Sequence, residues 1–399
     1  MIFKSATICE ANGERVCDVR VEDGIIAEIG TDIKGENIVD AKGCYLLPLL
    51  VDINIKTPDS NLNAKNIKIV STEALAGGIG HIVLNPDSTP AIDNEIVLEF
   101  AQNGLHELRG AKVDLMINTL KEDTTLSNIA ILLKRGAISP YMSTIAKNDV
   151  AIKIAQYAQM YGVTIFCKAE DNSLISSGVM LDGDVSSKLG LAGIPDLSEV
   201  LHVSRMIEIA RHFKIKILFK AIASPRSIYL INKAKSEGVN VTCEVSIHHI
   251  LNSDESCKGF NTTAKLNPPL ASKTDMLLLQ EALKNSQIDI LTTLHQPSSP
   301  LRKEVAFYDA AYGCDGLLHA MSLYYTKLVK SKMITMSRLL ELCVINPLQA
   351  IGQDGSEIKV GAKASFMLFD PNKKVIIDEK LSLYNGEELY GEIREVFND

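Results

Sequence analysis

Histidine and cysteine are the first places to seek metal or nucleophilic chemistry, and this chain of 399 residues carries eight of each. Their spacing argues against a shared site. Cys9, Cys17, Cys44, Cys167, Cys243, Cys257, Cys314 and Cys343 lie scattered, with neither the C-x-x-C pairs of a zinc knuckle nor the clustering of a disulfide framework. Cysteine without such partners behaves as a small hydrophobe, so these read as buried thiols. His81, His106, His202, His212 and His319 show no ligand spacing to Cys or carboxylate and read as structural. His248 and His249 are adjacent; on a regular strand they face opposite sides and cannot grip one ion together, so packing or hydrogen bonding is expected.

The bulk composition sets what kind of molecule surrounds them. Hydrophobic residues make up 46% and charged residues 23% of the chain, the range of a globular protein that buries a large core. A formal net charge of -8 excludes general affinity for nucleic acid or an anionic membrane, which needs a basic face. No segment approaches the ~20 apolar residues of a membrane span. The start, Met1-Ile2-Phe3-Lys4-Ser5-Ala6-Thr7, lacks a basic stretch followed by an apolar run, so the cytoplasm is the expected location.

Strand-length, β-branched runs recur along the chain. Asp18-Val19-Arg20-Val21-Glu22 alternates, Asp23-Gly24 signals a hairpin, and Ile25-Ile26-Ala27-Glu28-Ile29 resumes. From about residue 46 to 350, apolar runs such as 111–117, 163–167, 216–219, 239–243 and 288–291 alternate with helical patterns such as 198–212 and 227–236. Repeated βα units predict a parallel sheet, and this many predict closure into a (β/α)8 barrel of α/β class. The stretch 317–323 with Tyr324-Tyr325 reads as packing of a barrel helix. Ala364-Ser365-Phe366-Met367-Leu368-Phe369 and Lys374-Val375-Ile376-Ile377 return to strands, with a turn expected at Asp370-Pro371-Asn372. Residues 1–48 and 351–399 are therefore expected to share one small β-sandwich domain around a barrel at 49–350.

Local motifs carry a resemblance. Asp40-Ala41-Lys42-Gly43 followed by Leu47-Pro48-Leu49-Leu50-Val51-Asp52, then Cys167-Lys168-Ala169-Glu170-Asp171, Glu244-Val245-Ser246-Ile247-His248-His249, Asn267-Pro268-Pro269-Leu270 and Thr293-Leu294-His295-Gln296-Pro297 stand in order. Glu199, Arg205, and Lys303 with Phe307 fit the same register. Nearly end to end, the chain resembles the bacterial dihydroorotases, cyclic amidohydrolases whose plan is a β unit split between the termini around a barrel. Leu49 stands where that family usually has glycine.

The resemblance also says where the family holds its zinc. The first-strand signature D-x-H-x-H-x-R reads here Asp52-Ile53-Asn54-Ile55-Lys56-Thr57-Pro58, with Asn54 and Lys56 at the two histidines and Pro58 at the substrate-binding arginine. The family's aspartate in G-A-x-x-x-x-D falls at Met142, the histidine of H-x-E-D at Lys168, and that of H-x-S-T at Ala221, with Lys220 beside it. The aspartate of D-H-A-P-H, ligand and general base, falls at Leu294. A catalytic zinc needs about three ligands drawn from His, Cys and carboxylate, and these positions supply none. Loss of the general base alone typically costs ~10²–10⁴-fold. The expectation is thus a chain without a cofactor that is not an enzyme. P-N-T becomes Pro86-Asp87-Ser88, placing a carboxylate where it repels an acidic ligand; Asn267 and His295 remain of the substrate cleft.

Lys56 and Lys168 admit three readings. They can hold an anion or pair with Asp52, Asp87 or Glu170; one can serve as base or Schiff-base nucleophile; or both are solvated remnants. Among relatives of this kind, a dihydroorotase-like chain with a degraded zinc site associates with aspartate carbamoyltransferase. The resemblance therefore implies a noncatalytic scaffold for that enzyme's catalytic chain in pyrimidine biosynthesis, within a homo- or hetero-oligomer. Two alternatives stay open: an active amidohydrolase with an unconventional site, and a structural homo-oligomer resembling the dihydropyrimidinase-related proteins.

Overall fold

The computed structural model describes residues 1–10, 13–106, 108–122, 124–143, 146–354 and 357–398. Its first strands are β1 (Ile2–Glu10), β2 (Gly13–Glu22), β3 (Ile25–Gly30), β4 (Ile38–Asp40) and β5 (Tyr45–Pro48), and they join two distant strands, Ser365–Ile376 and Glu388–Asn398, in one seven-stranded sheet. The turn between β2 and β3 forms at Asp23-Gly24, both residues at positive φ, as a tight hairpin requires. Both ends of the chain share one apolar cluster: Phe3 meets Phe366 edge-on at 5.4 Å and Phe397 at 5.2 Å. Such aromatic pairs contribute about 0.5–1.5 kcal/mol beyond their buried area.

The barrel follows as β6 (Leu50–Ile55), β7 (Ile79–Leu84), β8 (Lys112–Leu115) continued by β9 (Ile117–Asn118), β10 (Pro140–Met142) and β11 (Ile165–Lys168). A two-stranded excursion, β12 (Met180–Leu181) with β13 (Gly193–Ile194), precedes β14 (Ile217–Lys220), β15 (Val241–Ser246) and β16 (Ile290–Thr292). All barrel pairings are parallel. Parallel strands covered on both faces read as near-continuous apolar runs, and β6 and β7 are buried along their whole length, the run interrupted only by Asp52, Asn54 and His81, whose side chains hydrogen-bond. The ring closes where β16 returns to β6: the Lys56 N–H donates to the His295 carbonyl at 2.9 Å, and Asp52 accepts from the Thr293 N–H and hydroxyl, each at 2.7 Å.

The last two strands are β17 (Ser365–Ile376) and β18 (Glu388–Asn398). Strand alternation lets β17 serve two cores: Phe366 and Leu368 face the terminal sheet's cluster, while Met367 and Phe369 join the barrel core. Gly391 in β18 sits at φ 97, and a Cβ there would lie 2.0 Å from the Phe369 ring, so only glycine lets the ring pass. The turn expected at Asp370-Pro371-Asn372 is instead an irregularity within continuous β17, where the register against β18 shifts between Asp370 and Lys374. The helix Ala320–Tyr324 is buried along its length, matching the packing role read from its sequence. Seven of the eight thiols are buried, Cys9 being half-buried.

Candidate active site

The carboxyl ends of the barrel strands enclose a polar cavity of about 170 Å³, the end at which barrels of this kind carry their sites. Strand alternation aims residues two apart in one direction, so Asn54 near the end of β6 and Lys56 just beyond it both line the cavity. Asn85 and Asp87 follow β7, Lys168 ends β11, Lys220 ends β14, and Leu294 and His295 follow β16; Ala221 and Asn267 complete the set. Met142 and Pro58 are not brought in. Met142 is buried in β10 beside Tyr141, whose side chain does line the cavity, and Pro58 opens a 3-10 turn outside it.

Both lysines singled out from the sequence are ion-paired. Lys56 Nζ lies 2.7 Å from Asp87 Oδ2 and Lys168 Nζ lies 2.9 Å from Glu170 Oε2. With its amide turned to satisfy both ends, Asn267 donates to Glu170 Oε2 at 3.0 Å and accepts from Lys168 Nζ at 3.2 Å.

The central cation of the cleft is Lys220, 4% exposed. Its ammonium donates to the Ile53 carbonyl at 2.8 Å and to Asn85 Oδ1, and sits 5.7 Å from the Tyr141 ring centroid and 5.6 Å from that of Phe166. Asn85 Nδ2 donates to Asn54 Oδ1 at 2.7 Å, and Asn54 Nδ2 donates to Glu244 Oε1, which also accepts from Thr292 Oγ1 at 2.8 Å. A single directed chain of hydrogen bonds thus runs from an ammonium to a carboxylate. Burial pushes the Lys220 ammonium down to about 8 against the opposing pull of Glu244, Asp87 and Asp52. Burial likewise raises Glu244 and Asp52. Sequence reasoning misses Lys220, Asn85 and Glu244 as one unit. The available signal is a lone lysine closing the apolar run Ile217-Leu218-Phe219 at a barrel-strand end.

Three buried polar atoms in and beneath the cleft have no hydrogen-bond partner: Asp87 Oδ1, Glu244 Oε2 and His295 Nε2, the last lying 4.0 Å from Glu73 Oε2. The Gly316 N–H donates to His295 Nδ1 at 3.2 Å, which leaves the ring proton on Nε2. Ala221 and Leu294 hold φ of 50 and 48, a left-handed conformation that costs a side chain other than Gly, Asn or Asp. His248 and His249 lie on a short helix, Ile247–Leu251, rather than a strand. Both are buried in hydrogen bonds: His248 with the Tyr384 hydroxyl at 3.1 Å and Cys314 Sγ at 3.3 Å, His249 with the Ser246 hydroxyl at 2.7 Å and the Pro268 carbonyl at 3.1 Å.

Solved structures that share this architecture include hydantoinases. L-hydantoinase (dihydropyrimidinase) from Arthrobacter aurescens superposes with a TM-score of 0.87 at 21% identity over 98% of this chain and 93% of that one. A D-hydantoinase superposes with a TM-score of 0.84 at 19% identity; these likenesses establish the fold. No protein-family model matches the chain. The dihydroorotase of Acetivibrio thermocellus is 32% identical over 98% of this chain and 96% of its own length, and that of Ruminiclostridium cellulolyticum 34% over 95% and 92%. The chain belongs to the dihydroorotase family.

That membership corrects two expectations. Relatives matching from end to end are named dihydroorotase, which overturns the expectation of a chain that is no enzyme. The expectation of no cofactor falls with it, because the family so identified is one the sequence resemblance associates with zinc. The donor set at the inherited positions nevertheless does not fit a divalent ion. Asn54 has both ends of its amide engaged, Lys56 and Lys168 are ammonium groups in ion pairs, and Met142, Ala221 and Leu294 offer a thioether, a methyl and an isobutyl group. Among the described residues no group of three His, Cys, Asp or Glu is placed to hold a metal.

Proposed function

We propose that this chain is a cyclic-amide hydrolase working through an unconventional site, with Lys220 as the cation that polarises the scissile carbonyl. The observation that carries the reading is the end-to-end kinship with chains named dihydroorotase. The cleft supports it. An ammonium has three donors, and two of those on Lys220 are engaged by Ile53 and Asn85, leaving one for a carbonyl oxygen. Positive charge fixed at the cavity floor stabilises the oxyanion formed when a water molecule attacks that carbonyl, before the ring C–N bond breaks and its nitrogen takes up a proton.

The test is ring opening followed by chromatography for dihydroorotate, dihydrouracil and hydantoin. Turnover of at least one is expected, and Lys220→Met is expected to lower it about 10²–10³-fold, the range for removing an oxyanion-stabilising donor, with circular dichroism confirming the fold. Absence of turnover of all three by the unaltered chain defeats the reading.

We further infer association with the aspartate carbamoyltransferase catalytic chain, which an active hydrolase can maintain. What favours a partner surface is a run of exposed apolar residues on the neighbouring helices Glu95–Asn103 and Ile129–Lys134: Ile96, Phe100 and Ile131, with Ile96 81% exposed. Co-elution of the two purified chains in size exclusion is the expected result, weakened by Ile96→Asp; two separate peaks for the unaltered pair would refute it.

A further inference from the structure

We propose that Lys220 is a covalent capture site for small 2-oxo acids, its amine taking up their ketone carbon as an imine. The capture is independent of ring hydrolysis, since it uses the uncharged form of the nitrogen whose charged form polarises a carbonyl.

Surroundings separate Lys220 from the other two lysines of the lining. Lys56 lies 2.7 Å from Asp87 and Lys168 lies 2.9 Å from Glu170, and such pairing holds an amine in its charged form, which is no nucleophile. Among the described residues no carboxylate is ion-paired with Lys220. Its partners are the Ile53 carbonyl and the Asn85 amide oxygen, both neutral, and it stands against the Tyr141 and Phe166 rings. A desolvated lysine near a second cation, here Lys56, is one activated toward carbonyl carbons. With burial bringing Lys220 to about 8, about half of it is free amine near that pH, against under about 1% of an ordinary lysine.

The step balances without a further reagent. The amine adds to the ketone carbon, forming a C–N bond, and the former carbonyl oxygen then leaves with both amine hydrogens as one water. The imine that remains takes a proton from solvent and is again a cation, with one N–H for Ile53 or Asn85. Charge and room give the ligand class. Three lysines of the lining face two carboxylates, Asp87 and Glu170, and Asp87, expected from the sequence to repel acids, is answered by Lys56. One positive charge is left over, which a ligand carboxylate neutralises. At about 170 Å³ the cavity suits a short-chain acid and falls short of the pockets that enclose drug-sized ligands.

Incubation of the full chain with pyruvate and sodium borohydride near pH 8, followed by intact-mass measurement and peptide mapping, tests this. A single reduced adduct is expected on the peptide carrying Lys220, at least about tenfold above exposed lysines such as Lys68 and Lys214. Glycolaldehyde, which lacks the carboxylate, is expected to label Lys220 with less selectivity. Lys220→Arg keeps a cation that forms no imine and is expected to abolish the adduct, and mapping of the unaltered chain decides should that variant fail to fold. Label spread over exposed lysines, label on Lys56 or Lys168, or no label overturns the capture. Equal selectivity with glycolaldehyde overturns the assignment to acids. Ring opening without an adduct leaves the hydrolase reading standing, and an adduct without ring opening defeats that reading alone.

Discussion

Acidification from neutral pH is expected to unfold this protein in a steep transition between about pH 6 and pH 4, driven by four imidazoles buried in their neutral form. Burial pushes His202, His248 and His295 down to about 3 and His249 down to about 4, from an ordinary 6.5. A group whose folded value lies below its unfolded value takes up protons more readily when unfolded, so its contribution is complete above about 6.5 and is lost as the pH falls toward 3 to 4. At roughly 1.4 kcal/mol for each pH unit of displacement, the four together reach the order of 10 kcal/mol, comparable with the whole stability of a domain. Glu199 and Glu379, raised to about 7 chiefly by burial, act in the opposite sense between about 4.5 and 7, and the burial-raised carboxyl groups of Asp52, Glu73, Glu244, Asp254 and Asp315 act in that sense too, so they offset part of the imidazole effect. Far-ultraviolet circular dichroism across a pH series checks the result, and His202→Gln is expected to move the midpoint downward. A cooperative thermal melt retained at pH 4 would show that these rings accept protons in place.

The second large effect belongs to Asp52. It is 2% exposed and accepts the Asn54 N–H at 2.9 Å together with the Thr293 N–H and hydroxyl at 2.7 Å each. Those bonds tie the first barrel strand to the end of the last. Asp52→Ala strands two backbone N–H groups and a hydroxyl without water, and a loss of about 3–5 kcal/mol in denaturant unfolding is expected. Asp52→Asn keeps an oxygen for one of the donors and should lose less. A change below about 1 kcal/mol in the alanine variant would mean that barrel closure does not depend on this carboxylate.

Much of this architecture is legible in the residues, and the exceptions are instructive. The barrel strands read clearly because parallel strands buried on both faces are near-continuous apolar runs, as in Ile217-Leu218-Phe219. The helix expected over 198–212 forms at Leu197–Phe213. Local signals mislead where tertiary contacts override them: Asp370-Pro371-Asn372 has turn composition, yet pairing of β17 with β18 carries the strand through it. His248-His249 continues an apolar strand in sequence, but Ser246 caps a helix there by accepting from the His249 N–H. In the cleft, motif spacing locates Asn54, Lys56, Lys168, Ala221 and Leu294 at the barrel mouth. It does not reveal who pairs with whom. The Lys220-to-Glu244 chain joins ends of four strands that are remote in sequence, and no local pattern encodes such a meeting.

The shared terminal sheet has a consequence for synthesis. Strand β5 leaves the ribosome with one edge bare, and its cover, β17, is translated only after some three hundred further residues. At roughly 5–20 residues per second, that delay lasts about 15–60 s. Throughout it, Leu46 and Leu47 stand on an unpaired edge of the sort that recruits other chains into aggregates. The nascent chain should therefore depend on holding chaperones at this strand, and slowed translation of the barrel should lower its soluble yield.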